Sequence, residues 1–249
     1  MSKNAVSIID LNFCYPGAAQ NCFYQLNLQV SSGERFGLFG PNGAGKTTLM
    51  NCMTGLLTFN QGSIELLGMS IKKDKKTINQ HVGFVPQDFS FYSELTPMEN
   101  LAFFGAWSGM RKVAIKERTA ELLEILDLNN VANIPVHKFS GGMKRKVNLA
   151  IGVIHDPAIL FLDEPTVGVD VQTRTAIISY LKTLNKKGTT LIYTSHQLNE
   201  AEELCDKIAL IDDGKIIALD TLQNLLIEHN QTTMEGLFVT LTSQKNKDI

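Results

Sequence analysis

Hydrophobic and polar residues alternate in two segments near the beginning of the chain, VSIIDLNF and FYQLNLQV. Apolar side chains at near-alternate positions predict half-buried antiparallel strands. Three short apolar segments with glycine or proline at their ends predict further strands: RFGLFG, GSIELLG and HVGFVPQ. The segment KTTLMNCMTGLL, which follows the first of these after a glycine-rich loop, is predicted to be a helix.

The pattern becomes helical between Pro97 and about His155. In PMENLAFFGAW the apolar residues recur at intervals of three and four, and AIKERTAELLEILDL continues the helical pattern. Pro97 suits the first position of a helix, and Thr96 suits the capping position before it. A helical block inserted in an α/β chain predicts a second lobe.

Strands return after Pro157, in AILFLD, TTLIYTS and KIALID. They alternate with helical stretches at 171–187 and 197–205, and this alternation predicts a parallel sheet covered by helices on both faces. The segment DDGK at 212–215 is predicted to turn between the two strands of a hairpin. The last dozen residues are predicted to be frayed.

Composition narrows the class of protein. The chain has 249 residues, 44% of them hydrophobic and 19% charged, which suits a globular protein of one large or two smaller domains. Its net charge of −2 does not favour a nucleic-acid partner, and the basic run KKDKK at 72–76 is interpreted as a solvated loop. The four cysteines have no C-x-x-C spacing and are interpreted as free thiols in a reducing compartment.

The sequence has no secretory signal pattern and no apolar run of the roughly 20 residues that a membrane helix needs. We therefore expect the protein to reach a membrane only by docking on another protein.

The segment GPNGAGKTT fits the phosphate-loop pattern G-x-x-x-x-G-K-[ST] and lies between a predicted strand and a predicted helix. Its glycines allow backbone amides to point at phosphate groups, and the start of the helix adds its positive dipole end. We expect Lys46 to reach the β- and γ-phosphates and the Thr47 hydroxyl to bind Mg²⁺. The predicted nucleotide-binding residues are Gly40, Pro41, Asn42, Gly43, Ala44, Gly45, Lys46, Thr47 and Thr48.

The segment AILFLDEP is a buried apolar strand that ends in two acidic residues, at the edge where open α/β sheets bind ligands. Asp163 is predicted to hold Mg²⁺, and Glu164 to face the γ-phosphate and polarise an attacking water. The alternative is a strand that ends in a solvated acidic turn.

The segment FSGGMKRK is a second candidate anion site, because a Ser-Gly-Gly sequence lets backbone N–H groups crowd around an anion. It is predicted to begin a helix that runs toward His155. Its basic residues 144–146 are interpreted as a solvated helix face rather than as phosphate ligands.

These motifs, in this order over about residues 5 to 225, resemble those of the ATP-binding cassette (ABC) ATPase family. The resemblance implies an α/β fold: a P-loop NTPase core with an antiparallel β subdomain and an inserted α-helical subdomain. It implies a single ATPase domain over 1–225 and a short C-terminal tail over 226–249. Within that domain the core lobe comprises 1–87 and 156–225, and the helical lobe comprises 88–155.

The resemblance also implies roles for residues outside the phosphate loop. Tyr15 in FCYPG would stack on the adenine base, and Gln87 in VPQD would contact Mg²⁺ and sense the γ-phosphate. His196 in TSHQ would contact the γ-phosphate and position the attacking water. Taken alone, each of these residues also suits an ordinary structural position. The implied catalytic residues are Lys46, Gln87, Glu164 and His196, and the implied Mg²⁺ ligands are Thr47, Gln87 and Asp163.

The Ser-Gly-Gly segment matches the signature motif of the family, whose commonest form is Leu-Ser-Gly-Gly-Gln. Phe139 and Met143 replace the outer residues, and Met143 cannot donate the hydrogen bond that glutamine donates. The resemblance implies that two chains pack head to tail, as a homodimer or a heterodimer. Each ATP would then lie between the phosphate loop of one chain and the signature of the other, and the VGVD loop would cross to the partner. The implied contacts across this interface are Ser140, Gly141, Gly142 and Asp170.

The function that the resemblance implies is ATP binding and hydrolysis, with ATP and Mg²⁺ as cofactors, in a subunit that drives a separate membrane permease. Several segments, FSGGMKRKVNLA among them, resemble those of bacterial exporter ATPases, so we expect an exporter subunit on the cytoplasmic face of the inner (cell) membrane. The alternatives are an importer ATPase, a soluble ABC ATPase of the iron–sulfur assembly type, and a nucleotide-gated module that hydrolyses ATP poorly.

Two groups of aromatic residues bear on the permease. Phe89, Phe91 and Tyr92 are the expected docking residues for a cytoplasmic helix of the permease. A second group fits packing inside the helical lobe at least as well as it fits a docking surface: Phe103, Phe104 and Trp107.

Overall fold

The computed structural model describes residues 4–18 and 20–244. The chain is divided between two units. Met1–Lys75 and Thr190–Ile249 form the first unit, and Lys76–Thr189 form the second unit.

The helices and strands that the sequence pattern predicts occur in the predicted order, and the described residues contain four further α-helices or strands that it did not predict. Up to Ile78 they are β1 (Asn4–Phe13), β2 (Phe23–Ser31), β3 (Arg35–Phe39), α1 (Lys46–Met53), β4 (Gln61–Leu66), β5 (Met69–Ser70) and α2 (Lys75–Ile78). The second unit continues with β6 (Val82–Val85), α3 (Pro97–Trp107), α4 (Lys112–Ile125), α5 (Gly141–Val153), β7 (Ile159–Asp163) and α6 (Val171–Lys186). The first unit resumes with β8 (Thr190–Ser195), α7 (Asn199–Leu204), β9 (Lys207–Asp212), β10 (Lys215–Thr221), α8 (Leu222–Glu228) and α9 (Met234–Gln244).

An antiparallel sheet in the first unit has the strand order β2-β1-β4-β5. Ile8 at the centre of β1 pairs with Leu28 of β2 and with Ile64 of β4, and all three side chains are buried. Buried and exposed residues alternate along much of β2. The alternation in the sequence therefore predicted this sheet correctly.

A second sheet of the first unit carries the strands in the order β10-β9-β3-β8. Strand β3 is parallel to both β8 and β9, and Phe36 and Leu38 within it are fully buried. Strand β10 pairs with β9 as the predicted hairpin. Asp213 and Gly214 in its turn have φ values of 48° and 70°, the left-handed conformation that a tight hairpin turn requires.

The second unit contains the parallel pair of β6 and β7 and the four helices α3 to α6. Helix α3 begins as predicted, with Pro97 at its first position. The Thr96 hydroxyl accepts a hydrogen bond from the Glu99 N–H, and the Glu99 carboxylate accepts one from the Thr96 N–H. This reciprocal capping box fixes the start of the helix.

Two expectations need correction. The basic run 72–76 is exposed, as predicted, but its last two residues belong to α2 rather than to a loop. The last dozen residues are not frayed over their described part, since α9 extends to Gln244. Met234 and Leu237 of α9 are buried, which anchors this helix.

None of the helices in the described part of the chain is long and apolar enough to cross a membrane.

Candidate nucleotide-binding site

The phosphate loop connects β3 to α1 in the first unit. Gly43 and Gly45 have φ values of 83° and 104°, a left-handed backbone that glycine adopts without strain. At Gly40 a Cβ atom would lie 2.0 Å from the carbonyl oxygen of Ile211, so no larger residue fits there. The loop is therefore shaped by its glycines, as the motif predicted.

Lys46 is the first residue of α1, and its side chain turns back over the loop. Its ammonium group donates hydrogen bonds to the carbonyl oxygens of Gly40, at 2.8 Å, and Pro41, at 2.9 Å. The residue is only 7% exposed. A buried cation beside a glycine-rich turn and a helix N-terminus is suited to an anionic ligand.

Tyr15 lies against the start of α1. Its hydroxyl forms a 2.8 Å hydrogen bond with the hydroxyl of Thr48, and its ring packs edge-on against Phe13, with centroids 4.9 Å apart. Tyr15 is 43% exposed, so part of the residue is accessible to a ligand. Thr47, in the first turn of α1, is exposed.

His196 follows the last residue of β8 and is exposed. Because Ser195 pairs with Phe39 across the parallel strands β8 and β3, His196 and Gly40 leave the sheet at the same edge. The structure thus brings the phosphate loop, the tyrosine and the histidine together within the first unit.

The acidic pair lies in the second unit at the end of β7. Asp163 is 2% exposed and Glu164 is 9% exposed, so the alternative of a solvated acidic turn is wrong. Glu164 has a φ of 48°, a strained conformation for a residue with a side chain, which is often found at functional sites. The Gln87 amide donates a 3.3 Å hydrogen bond to the Glu164 carboxylate, so these two predicted catalytic residues are in contact.

Arg145 is a residue whose role the sequence interpretation missed. It was interpreted, together with its two lysine neighbours, as part of a solvated face, but it is only 6% exposed. Its guanidinium donates a 2.5 Å hydrogen bond to the Gln87 carbonyl and lies 4.9 Å above the ring of Phe89. Burial lowers the pKa of Arg145, although the charges of Asp88 and Glu164 partly oppose this shift.

Asn148, one turn further along α5, supports the same segment. Its amide donates to the Pro86 carbonyl at 3.1 Å and accepts hydrogen bonds from the N–H and hydroxyl of Ser90. Helix α5 therefore holds the segment around Gln87 at both ends. The sequence does show that residues 145, 148 and 149 lie on one face of a helix, because they are three and four positions apart. It does not show that this face is the buried one.

The signature segment begins α5. The hydroxyl oxygen of Ser140 caps the helix by accepting a 3.3 Å hydrogen bond from the Met143 N–H. Ser140 and Gly141 are exposed. At Gly142 a Cβ atom would lie 2.9 Å from the hydroxyl of Thr173, so glycine is needed where α5 approaches α6.

Asp170 caps α6 beside this segment. Its carboxylate accepts hydrogen bonds from the N–H of Thr173, at 2.9 Å, and from the Thr173 hydroxyl, at 2.7 Å. These bonds lower the pKa of Asp170. Two helix N-termini thus lie close together in the second unit, which favours negative charge near the exposed signature residues.

Two of the three aromatic residues that suited packing inside the helical lobe are exposed, and the third, Phe104, is half-buried. Trp107 is 81% exposed and Phe103 is 41% exposed, so the interpretation that they pack inside the lobe is wrong for both. The rings of Phe103 and Tyr92 lie 4.9 Å apart, and that of Trp107 lies 6.4 Å from Phe103. Of the three expected docking residues, Phe89 and Tyr92 are exposed and Phe91 is half-buried.

A glycine-shaped phosphate loop between a parallel strand and a helix defines the P-loop nucleotide-binding class. Residues 23–167 match the family described as ABC transporter. The chain therefore belongs to the ABC transporter family, as the sequence motifs predicted.

Several curated proteins are similar to this chain. The linearmycin resistance ATP-binding protein LnrL of Bacillus subtilis is 43% identical over 200 residues, which are 80% of this chain and 64% of that protein. The probable multidrug ABC transporter ATP-binding protein YbhF of Escherichia coli is 39% identical over 228 residues, 90% of this chain and 39% of that protein. The Nod factor export ATP-binding protein I of Rhizobium sp. is 40% identical over 204 residues, 82% of this chain and 67% of that protein. The chain thus spans less than two thirds of the first two relatives.

Two solved structures resemble the fold. An ATP-binding subunit of an ABC transporter aligns with a TM-score of 0.89 and 27% identity, over 96% of this chain and 99% of that one. A dimeric ATP-binding cassette in a post-hydrolysis state, bound to ADP and Pi, aligns with a TM-score of 0.80 and 25% identity, over 87% of this chain and 98% of that one. The predicted α/β fold class is confirmed.

Proposed function

We propose that this chain is an ATP-hydrolysing subunit that drives export through a separate membrane permease. The observation that carries the proposal is the phosphate loop, in which the buried Lys46 ammonium lies across two backbone carbonyls beside the N-terminus of α1. Family membership and the ADP and Pi held by the dimeric cassette of similar fold support a nucleoside triphosphate as the ligand.

The residues present fit ATP and Mg²⁺. The loop glycines leave space where side chains would otherwise project, and Lys46 supplies a cation for the phosphates. Thr47, Gln87 and Asp163 would hold Mg²⁺, which binds oxygen ligands and usually keeps few protein contacts because phosphates and waters complete its shell. When bound, Mg²⁺ neutralises charge that develops on the phosphates. Tyr15, which is partly exposed, would stack on the adenine base.

Glu164 would act as the base that orients and polarises the attacking water. The hydrogen bond from Gln87 holds the Glu164 carboxylate in one orientation, and Arg145 fixes the backbone of Gln87. His196 would help to position the water at the γ-phosphate. We assign Lys46, Gln87, Glu164 and His196 as the catalytic residues on this basis.

The signature segment would bind ATP held by a second chain. Its exposed Ser140 and Gly141 lie at the N-terminus of α5, and Asp170 and Gly142 lie where α6 begins. The dimeric form of the solved cassette supports a head-to-tail pair. Loss of the γ-phosphate would then weaken the interface and convert hydrolysis into movement.

The exposed aromatic surface supports a membrane partner. Tyr92, Phe103 and Trp107 form a connected apolar patch, and a cavity of about 570 Å³ beside it is lined by Trp107, Phe104 and Ile151 among others. Exposed apolar patches commonly mark protein–protein contacts. We propose that a cytoplasmic helix of the permease binds there and holds the chain at the cytoplasmic face of the membrane. The relatives named for resistance, multidrug transport and Nod factor export favour an exporter over an importer.

Phosphate release from Mg²⁺-ATP by the purified chain tests the enzymatic part of the proposal. The wild type should hydrolyse ATP, and Lys46→Ala should lose tight ATP binding as measured by a fluorescent ATP analogue. Glu164→Gln should keep binding but lose at least about a hundredfold in rate. Hydrolysis that survives Glu164→Gln unchanged would contradict the assigned base.

Co-purification tests the transport part. The wild-type chain, expressed with its candidate permease, should be retained on membranes, and Trp107→Glu with Phe103→Glu should release it while leaving its ATP binding intact. Retention of the double variant would remove the docking surface from the proposal.

A further inference from the structure

A cavity of about 590 Å³ lies between α3 and α4 in the second unit. One face of α3 lines it with Met98, Ala102 and Ala106, and α4 contributes Ile115 and Leu123. Its volume is in the range of small-molecule sites. Met98 is 44% exposed, so part of this apolar surface is open to solvent.

Positive charge borders the cavity. Lys112 and Lys116 also line it, and both are exposed. They are four residues apart on α4, so their side chains lie on the same face of the helix. Every residue that lines the cavity belongs to the described part of the chain, and none of them is acidic. The charge of this border therefore complements an anion.

A hydroxyl without a partner lies on the same face. Thr119 lines the cavity, is 6% exposed, and its Oγ1 has no hydrogen-bond partner in the structure. It follows Lys116 by three residues on α4. A buried hydroxyl without a partner costs free energy, which an acceptor atom of a ligand recovers.

We propose that this cavity binds a free amphiphilic carboxylate, with a fatty-acid-like hydrocarbon chain and one anionic head group. The hydrocarbon chain packs against Met98, Ala102 and Leu123, and its removal from water supplies the affinity. The carboxylate accepts hydrogen bonds from the ammonium groups of Lys112 and Lys116, which select the sign of the head-group charge.

The Thr119 Oγ1 atom is itself buried, so it would contact the head group only after a change of χ1 rotamer. A threonine in a helix has two accessible χ1 rotamers. None of the residues proposed to contact ATP belongs to this cavity. Failure of the proposed ATPase function would therefore leave this inference unaffected, and failure of this inference would leave the proposed function unaffected.

Calorimetric titration of the full chain with monomeric dodecanoate, below its micelle-forming concentration, tests the inference. We expect a single saturable site. Dodecyltrimethylammonium has the same hydrocarbon chain and the opposite charge, and it should bind at least about tenfold more weakly because the two lysines repel it.

Variants locate the site. Lys112→Glu with Lys116→Glu should weaken dodecanoate binding at least about tenfold, since the two carboxylates repel the head group that the two ammonium groups attract. The matched control is Lys73→Glu with Lys138→Glu, which changes the net charge equally at exposed lysines that do not line the cavity. Its affinity should equal that of the wild type.

Ala102→Trp fills the cavity from an exposed helix position and should abolish binding while circular dichroism remains that of the folded protein. Equal binding of the two head groups would overturn the proposal, as would dodecanoate binding that survives both the charge reversal and Ala102→Trp. Binding only to vesicles of an anionic phospholipid, with none of monomeric dodecanoate, would also overturn it, because the lysines would then contact a membrane surface.

Discussion

Arg145 fixes the segment that carries Gln87. Its guanidinium donates to the Gln87 carbonyl and covers the ring of Phe89, and burial lowers its pKa. In the sequence it stands between two lysines, and basic runs usually lie in water. Only packing decides which face of α5 is buried, so the role of this residue could not be predicted from local pattern. The positions of Lys46 at the start of α1 and of Glu164 after β7 could be predicted, because their motifs fix both residue type and neighbouring structure.

Substitution of Arg145 by methionine should slow ATP hydrolysis. Loss of the hydrogen bond lets the Gln87 segment move, and small displacements of catalytic groups cost about ten- to a hundredfold in rate. We expect kcat to fall by that factor while KM for ATP stays close to that of the wild type. Steady-state phosphate release measures both constants.

Lys144→Met is the matched control for Arg145→Met, since Lys144 is only half-buried on the same helix. It should leave kcat near the wild-type value. Equal losses in the two variants would show that Arg145 has no specific positioning role.

Thr119→Val should stabilise the ligand-free protein by about 1 kcal/mol, because it removes a buried hydroxyl that has no hydrogen-bond partner and keeps the shape of the side chain. Urea unfolding measures the change. Thr175→Val is the comparison, since Thr175 is exposed and its hydroxyl donates to the Val171 carbonyl. A lower midpoint for Thr119→Val would mean that its hydroxyl has a partner in solution.

At the scale of helices and strands, elements with strong periodicity were predicted closely. Strands β1 and β2 follow alternation in the sequence, and α3 begins at the predicted capping residue. The short elements β5, α2 and α8 were missed, since two to seven residues carry little periodic signal. Helix α9 was missed because its stability comes from burial of residues such as Leu237, which is a tertiary property.

The capping box of α3 gives a prediction for stability and pH. Thr96→Ala removes the side-chain acceptor for the Glu99 N–H and should cost about 1 kcal/mol at neutral pH. Hydrogen bonds from Thr96 lower the pKa of Glu99 in the folded protein. A lowered carboxyl pKa stabilises the fold above the unfolded pKa, and that contribution is lost as pH falls through the folded pKa.

The Thr96 hydroxyl also donates to the Glu99 carboxylate, so the difference in urea midpoint between wild type and Thr96→Ala should shrink as the solution is acidified through the pKa of Glu99. It should not vanish, because the hydrogen bond from the Glu99 N–H to the Thr96 hydroxyl does not depend on pH. A difference that stays constant across this range would show that the carboxylate takes no part in the cap.

At the scale of the whole molecule, the chain carries two candidate anion sites in different units. The phosphate loop lies in the first unit, and the signature segment at the start of α5 lies in the second. Both were predicted from the sequence, because a glycine-rich turn before a helix presents backbone N–H groups that suit an anion. The hydrogen bonds from Thr173 to the Asp170 carboxylate could not be predicted from the sequence, because they depend on where α6 begins. We propose that the two sites of each chain bind different nucleotides, and that each nucleotide is shared between two chains. This is the central claim.

The oligomeric state of Glu164→Gln in saturating Mg²⁺-ATP tests this claim most directly. Because this variant should bind ATP without hydrolysing it, light scattering coupled to size-exclusion chromatography should give the mass of a dimer with ATP and of a monomer without it. Addition of Lys46→Ala to the same chain should abolish the dimer. A Glu164→Gln chain that stays monomeric with ATP bound would contradict the account.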